Sequence, residues 1–217
     1  MDLFEDQELP MHIDFNLYLI TDRHQCAPGH TLFSALEAAL QGGVRAVQLR
    51  EKDLTPIELL EYAQRLRLLT RKHGAKLLIN DRADIAVAVE ADGVHLTENS
   101  MDIASARKVL GGKKLIGVST HSLARAGAAQ REGADFITFS PIYHTPSKAG
   151  YGSPQGLERL REVCAKVDVP VFALGGITPE RQAEVQRAGA KGVALISAII
   201  GASDPAAAAQ SFKRSSN

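Results

Sequence analysis

Short apolar runs recur along this chain, and each gives way to polar residues at its C-terminal end. Leu17-Tyr18-Leu19-Ile20 passes into Thr21-Asp22, and Ala46-Val47-Gln48-Leu49 into Arg50-Glu51-Lys52. Leu77-Leu78-Ile79 passes into Asn80-Asp81, and Leu115-Ile116-Gly117-Val118 into Ser119-Thr120-His121. Phe136-Ile137-Thr138-Phe139 leads towards Thr145-Pro146-Ser147-Lys148, Val171-Phe172-Ala173-Leu174 ends at Gly175-Gly176, and Val193-Ala194-Leu195-Ile196 ends at Ser197. Runs this short and this rich in Val, Ile and Leu are the pattern of parallel strands buried on both faces. In a closed parallel barrel all strand C-termini open onto one face, where the chemistry sits. The repeated polarity at the ends of these runs therefore directs seven sets of functional groups to one place.

Helical patterns separate the runs. Thr31 caps a first helix that stops at Gly42-Gly43, and Thr55-Pro56 starts a second that stops at Gly74. A third covers Arg82 to Val89 and a fourth Ile103 to Leu110. Ser122 caps the fifth, which ends at Gly133; the sixth runs from Gln155 to Val167; Thr178-Pro179 and Asp204-Pro205 start the last two. These are ordinary start and stop signals: a hydroxyl or carboxylate before the first turn, proline within it, glycine after the last. With Gly93-Val94-His95-Leu96 the units number eight, and no glycine-rich dinucleotide loop follows the first strand. The expectation is a single (β/α)8 TIM barrel over residues 1–217, with residues 1–14 as an N-terminal extension, in preference to a doubly wound open sheet. The Gly133-Ala134-Asp135 and Gly189-Ala190-Lys191 turns read as helix-to-strand joints.

Composition narrows the partners. Lys+Arg and Asp+Glu both number 25, giving a formal net charge of +0 and no general attraction to nucleic acid or an anionic membrane. No apolar run reaches the roughly 20 residues that span a bilayer. The acidic start, MDLFEDQELPM, lacks a signal-peptide layout, so a cytoplasmic protein is expected. Cys26 and Cys164 have no metal-ligand spacing and read as free thiols.

Anion chemistry then has to be local. Gln48, Arg50 and Lys52 alternate at the end of strand two, so they share a face and suit a phosphate or diphosphate; the competing reading is a solvated strand end. Asn80-Asp81 offers an amide and a carboxylate, and Asp81 fits either a Mg2+ bridging to a diphosphate or a cap on the following helix. Ser119 is a candidate donor to a substrate and His121 a candidate acid or base, with a purely structural histidine as the competing reading. The long segment 140–156 is a candidate lid or clamp, with Thr145, Ser147 and Lys148 as its anion-binding set. Gly175-Gly176 and Ile196-Ser197 follow strands seven and eight, where barrels often hold phosphate on backbone N–H groups. Two phosphorylated substrates would explain two anion sites.

The runs YLITD, QLREKD, LLIND, ADGVHL, IGVSTHS, GADFITFSPIYHTPSK, GGIT and GVALISAI, spanning Tyr18 to Ile199, resemble the thiamine phosphate synthase family. That resemblance implies coupling of 4-amino-2-methyl-5-hydroxymethylpyrimidine diphosphate to a thiazole phosphate with release of diphosphate. It implies that Gln48, Arg50, Lys52 and Asn80 hold the pyrimidine diphosphate, that Asp81 binds Mg2+, and that Ser119 lies near the pyrimidine. Thr145, Ser147, Gly176, Ile196 and Ser197 would hold the thiazole phosphate, and Lys148 would neutralise the departing diphosphate. One position departs from the family pattern. Where the family usually has a second Mg2+-binding Asp after ADGVHL, this chain reads Thr97-Glu98-Asn99-Ser100, leaving Glu98 as the nearest substitute. The related thiazole tautomerases share the barrel, lack this metal chemistry and use a histidine at the position of His121, so isomerisation of a thiazole carboxylate phosphate is the alternative reading. A third is a non-catalytic barrel that binds thiazole phosphate. The partners implied are small molecules, with the question of a homodimer left open.

Overall fold

In a computed structural model, which describes residues 13–145 and 153–214, eight parallel strands close into a barrel in sequence order. The strands are β1 (Leu17–Ile20), β2 (Ala46–Leu49), β3 (Lys76–Asn80), β4 (Gly93–Leu96), β5 (Leu115–Thr120), β6 (Phe136–Phe139), β7 (Val171–Leu174) and β8 (Gly192–Leu195). Every neighbouring pair is parallel, including β1 with β8, so no strand edge is left unpaired. Strands β3 and β5 run further than their apolar runs, because Asn80 pairs with His95 and Thr120 with Phe139 despite their polarity.

The helices are α1 (Leu32–Gln41), α2 (Pro56–Lys72), α3 (Ala83–Ala88), α4 (Ile103–Leu110), α5 (Leu123–Arg131), α6 (Gly156–Lys166), α7 (Pro179–Arg187), α8 (Ser197–Ile200) and α9 (Pro205–Arg214). Thr31 and Thr55 close capping boxes with Ser34 and Glu58, and Ser122 accepts from the Arg125 N–H, as the sequence signals suggest. The short α8 and a 3-10 turn at Arg23–Gln25 carry no periodic pattern long enough to read from sequence.

Alternation along the strands divides the buried residues into two sets. Leu19, Val47, Leu77, Ile79, Val94, Ile116, Val118, Ile137, Ala173 and Val193 belong to a cluster that packs outward against helix residues such as Leu36, Leu66, Leu160 and Val185. Their inward neighbours, Tyr18, Ile20, Ala46, Leu78, Leu115, Phe136, Phe172 and Ala194, fill the barrel. Ile13 and Phe15 join this inner set, so the chain packs into the barrel from the first described residue. Phe15 meets Phe136 edge-on at 5.8 Å and lies 5.2 Å from Phe172, an aromatic plug beneath the mouth.

The joints before two strands share one device. Asp92 accepts the Leu77 N–H at 2.7 Å and pairs with Arg67 at 2.6 Å; Asp135 accepts the Ile116 N–H at 2.6 Å and pairs with Arg107 at 2.7 Å. Each carboxylate thus ties the start of one strand to its neighbour and to a helix. Gly133, with φ 93°, allows the turn that delivers Asp135.

Inside the barrel space is tight. A Cβ built on Gly117 would lie 2.4 Å from Phe136 Cζ and 2.6 Å from His95 Nδ1. Overpacking of this kind costs about 1–3 kcal/mol. Gly117→Ala should lower the free energy of unfolding by that amount, measured by chemical denaturation. A variant as stable as the parent would show that the ring stack beneath the mouth can shift freely.

Candidate functional site

At the C-terminal end of the strands the inward positions turn polar. Gln48, Asn80, His95, Ser119, Thr138 and Ser140 follow the inward apolar residues of β2 to β6, while Ile20, Leu174 and Ile196 keep the remaining sectors apolar. All of them line one cavity of about 620 Å³, together with Asp22, Arg50, Glu51, Lys52, Asp81, Arg82, Thr97, Glu98, Asn99 and His121. This volume falls in the range of small-molecule sites.

The strand-two triplet reaches the same cavity but by different routes. Gln48 is buried inside the barrel, and its amide Nε2 donates to the Tyr18 hydroxyl at 3.0 Å. Arg50 and Lys52 lie beyond the last residue of β2, so no shared strand face positions them. The backbone does so instead. The Arg50 N–H donates to the Thr21 hydroxyl at 2.8 Å. Between the two, Glu51 has a partner of its own: its buried carboxylate accepts from the backbone N–H and guanidinium of Arg23. Asp53 pairs with Arg23 at 2.6 Å and with His24 at 2.9 Å, and these partners hold its carboxyl well below the usual carboxylate range. Among the described residues Arg50 and Lys52 have no ion pair. Their charge remains available to a ligand.

Asn80 ends β3 with its side-chain oxygen buried and without a hydrogen-bond partner. Asp81 follows with φ 65°, a left-handed conformation that an Asp adopts only sparingly. The N-cap position of α3 is Arg82, which makes no side-chain cap, so Asp81 is not the helix cap that one reading of the sequence allowed. Arg82 is paired with Asp84. Asp81 and Glu98 face the cavity as carboxylates with no ion pair among the described residues. Among the described residues, no group of three or more His, Cys, Asp or Glu side chains could hold a metal by itself.

Ser119 Oγ lies 3.0 Å from His95 Nε2, and His95 Nδ1 lies 3.3 Å from the Tyr18 hydroxyl. Burial, aided by the nearby Arg50 charge, pushes the His95 pKa down to about 3, so the ring is neutral at physiological pH. His121 Nδ1 sits 2.8 Å from the Ser140 carbonyl oxygen, which can only accept, so that nitrogen carries a proton. Tyr18 and His95 are the residues that sequence reading missed. Their signal was parity: His95 stands two residues after Gly93 in an otherwise apolar strand, on the inward side.

The second expected anion set is only partly brought in. Ile196 lines the cavity, whereas Gly176 and Ser197, just after β7 and β8, and Thr145, in the segment after β6, are not among its lining residues. A Cβ on Gly176 would lie 2.8 Å from both the His144 carbonyl oxygen and Tyr143 Cβ, and φ there is 65°. The glycine is therefore demanded by the close approach of the segments after β6 and β7. Arg181 ties them further, donating to the Gly176 carbonyl at 2.7 Å and stacking over the Tyr143 ring at 4.3 Å. Ser147 and Lys148 lie outside the described residues.

Known proteins resemble this chain in sequence and fold. The chain is 58% identical over 193 residues to a Geobacter sulfurreducens protein whose assignment as a thiamine-phosphate synthase is itself provisional, covering 89% of this chain and 90% of the relative. It is 42% identical over 201 residues to the thiamine-phosphate synthase of Chloroflexus aurantiacus, covering 93% and 92%. The solved thiamine phosphate pyrophosphorylase of Pyrococcus furiosus superimposes with a TM-score of 0.83 at 36% identity, covering 92% of this chain and 94% of that one. The sequence profile described as thiamine monophosphate synthase matches residues 17–199, from β1 into α8, and the chain belongs to that family.

Proposed function

We propose that this chain couples 4-amino-2-methyl-5-hydroxymethylpyrimidine diphosphate to a thiazole phosphate, forming thiamine phosphate and releasing diphosphate. The observation that carries the reading is the pair Arg50 and Lys52, cations without an acidic partner among the described residues, on the wall of a cavity whose other side is a buried hydrogen-bonding surface. The first suits a diphosphate and the second a heterocycle.

The chemistry follows from the charge distribution. The bond from the pyrimidine methylene carbon to the diphosphate oxygen breaks, the electron pair leaves with the oxygen, and the thiazole nitrogen attacks the methylene cation. Such a step needs stabilisation of the departing anion more than a general base. Arg50 and Lys52 supply it from one side. The resemblance gives the same role to Lys148 and assigns the thiazole phosphate to Thr145, Ser147, Gly176, Ile196 and Ser197. Gln48 and Ser119 orient the pyrimidine.

The residues at the mouth fit a bound Mg2+. The orphaned buried oxygen of Asn80 and the carboxylates of Asp81 and Glu98 are hard oxygen donors on one cavity, with no sulfur competing. Asp81 would hold the ion, with Glu98 as the second carboxylate, and the ion would neutralise diphosphate oxygens. Mg2+ keeps several waters and takes only one or two protein carboxylates, so a preformed cluster of three is not required. Ser100, where the family usually has a carboxylate, accepts the Thr97 N–H at 2.7 Å and closes the turn after β4. The reading includes a cytoplasmic location and small-molecule substrates.

Two outcomes test these assignments. Arg50→Ala and Lys52→Ala should each raise the KM for the pyrimidine diphosphate roughly tenfold to hundredfold, the value of a charge-assisted contact, with much less effect on the KM for the thiazole phosphate. Equal losses for both substrates would count against a dedicated diphosphate subsite. Coupling should require Mg2+, with Glu98→Gln raising the concentration for half-maximal rate and Ser100→Asp lowering it. If coupling is absent at saturating Mg2+ while a thiazole carboxylate phosphate isomerises in EDTA, and His121→Ala abolishes that isomerisation, the protein is a tautomerase instead.

A further inference from the structure

A chain of hydrogen bonds crosses the barrel just beneath the cavity, and its direction can be worked out from donor and acceptor chemistry alone. It runs from Gln48 Nε2 to the Tyr18 hydroxyl at 3.0 Å, from there to His95 Nδ1 at 3.3 Å, and from His95 Nε2 to Ser119 Oγ at 3.0 Å. An amide nitrogen can only donate, so the Tyr18 oxygen accepts from Gln48. Tyr18 has no other acceptor among the described residues, so its own proton goes to His95 Nδ1. A neutral imidazole that accepts at Nδ1 carries its proton on Nε2, and that proton goes to Ser119 Oγ. Ser119 makes no other side-chain hydrogen bond among the described residues, so its own proton is left for the cavity it lines.

We infer that His95 is a positioning residue: Tyr18 holds it in the Nε2–H form, and it in turn commits Ser119 to act as a hydrogen-bond donor to the bound heterocycle. This rests on the pyrimidine-binding role proposed above. Gln48 uses its N–H on Tyr18, which leaves its carbonyl oxygen as the acceptor at the same wall. Acceptor beside donor is complementary to the edge of a 4-aminopyrimidine, whose amino group donates and whose adjacent ring nitrogen accepts.

The surroundings keep the relay from reversing. Tyr18 and His95 are fully enclosed, at 0% and 2% exposure, and burial raises the phenol pKa far above its usual value, so Tyr18 keeps its proton. The groups facing His95 are Tyr18 on β1, Phe136 on β6 and Ser119 on β5, with Arg50 as the nearby charge that disfavours an imidazolium. No carboxylate contacts the ring among the described residues, so nothing draws a second proton onto it.

The decisive readout is the ring nitrogen chemical shifts of His95 in the full-length protein labelled with 15N-histidine, which need no substrate. The expected result at neutral pH is a protonated Nε2 and an unprotonated Nδ1; the opposite tautomer, or an even mixture of the two, overturns the inference. Tyr18→Phe removes the donor to Nδ1 and should mix the tautomers. In the coupling assay, His95→Gln, whose amide N–H can stand in for Nε2–H, should keep the KM for the pyrimidine diphosphate near that of the parent. His95→Leu should raise it about tenfold, the worth of one neutral hydrogen bond, with the thiazole phosphate KM unchanged. Equal defects in Gln and Leu variants that fold normally would reduce His95 to a space-filling role. A parent protein with the expected tautomer but no coupling activity would reject the proposed function and leave the relay intact.

Discussion

Side-chain alternation along a closed parallel barrel leaves each strand a fixed inward row, and the whole site depends on what occupies the upper end of that row. The lower positions, Tyr18, Leu78, Leu115, Phe136, Phe172 and Ala194, pack with Phe15 into a filled interior. One step up, the same rows present Gln48, Asn80, His95, Ser119 and Thr138. Register fixes their neighbours: Ile20 stands beside Gln48, Asn80 beside His95, and Ser119 beside Thr138. Because closure removes every sheet edge, no single strand can slip without reversing its two faces, so these polar groups are aligned by the same hydrogen bonds that hold the fold.

Charge is handled by a second alternation, in Arg50-Glu51-Lys52. Burying the Glu51 carboxylate unpaired would be costly, and Arg23 meets it with both its backbone N–H and its guanidinium. The anion in the middle of the triplet is thereby turned towards the 3-10 turn after β1, and the two cations flanking it are left to the cavity. Had Glu51 paired with Arg50 or Lys52, the site would have neutralised itself. The local acid is a structural fastener between two loops, and its pairing with Arg23 leaves Arg50 and Lys52 without an ion pair among the described residues.

Strand positions were legible in the sequence because a strand buried on both faces must be continuously apolar, and helix starts were legible because capping side chains and proline leave local marks. The same logic fails where polarity and pairing coincide. Asn80 and Thr120 read as strand ends but sit within the ladders of β3 and β5. The four-residue α8 lacks a full amphipathic repeat. For the site, the residues with an obvious charge were found, whereas Tyr18 and His95 were absorbed into their apolar runs. In one case spacing gave a different reason from the structure: Gln48, Arg50 and Lys52 line one cavity although only Gln48 lies in the strand.

The absence of a preformed cluster of three metal-binding side chains among the described residues bears on how the proposed reaction could be ordered. Arg50 and Lys52 would repel a dication from an otherwise empty site, and two carboxylates with one amide oxygen offer it limited compensation. A diphosphate reverses that balance, since its oxygens satisfy the cations and supply ligands to the metal at once. Ser100 fits the same economy. It preserves the turn after β4 through the Thr97 N–H, a hydrogen bond that a carboxylate at this position would also accept, while omitting the charge. The turn is thus independent of metal affinity, and the number of carboxylates at the mouth can change without disturbing the barrel beneath it.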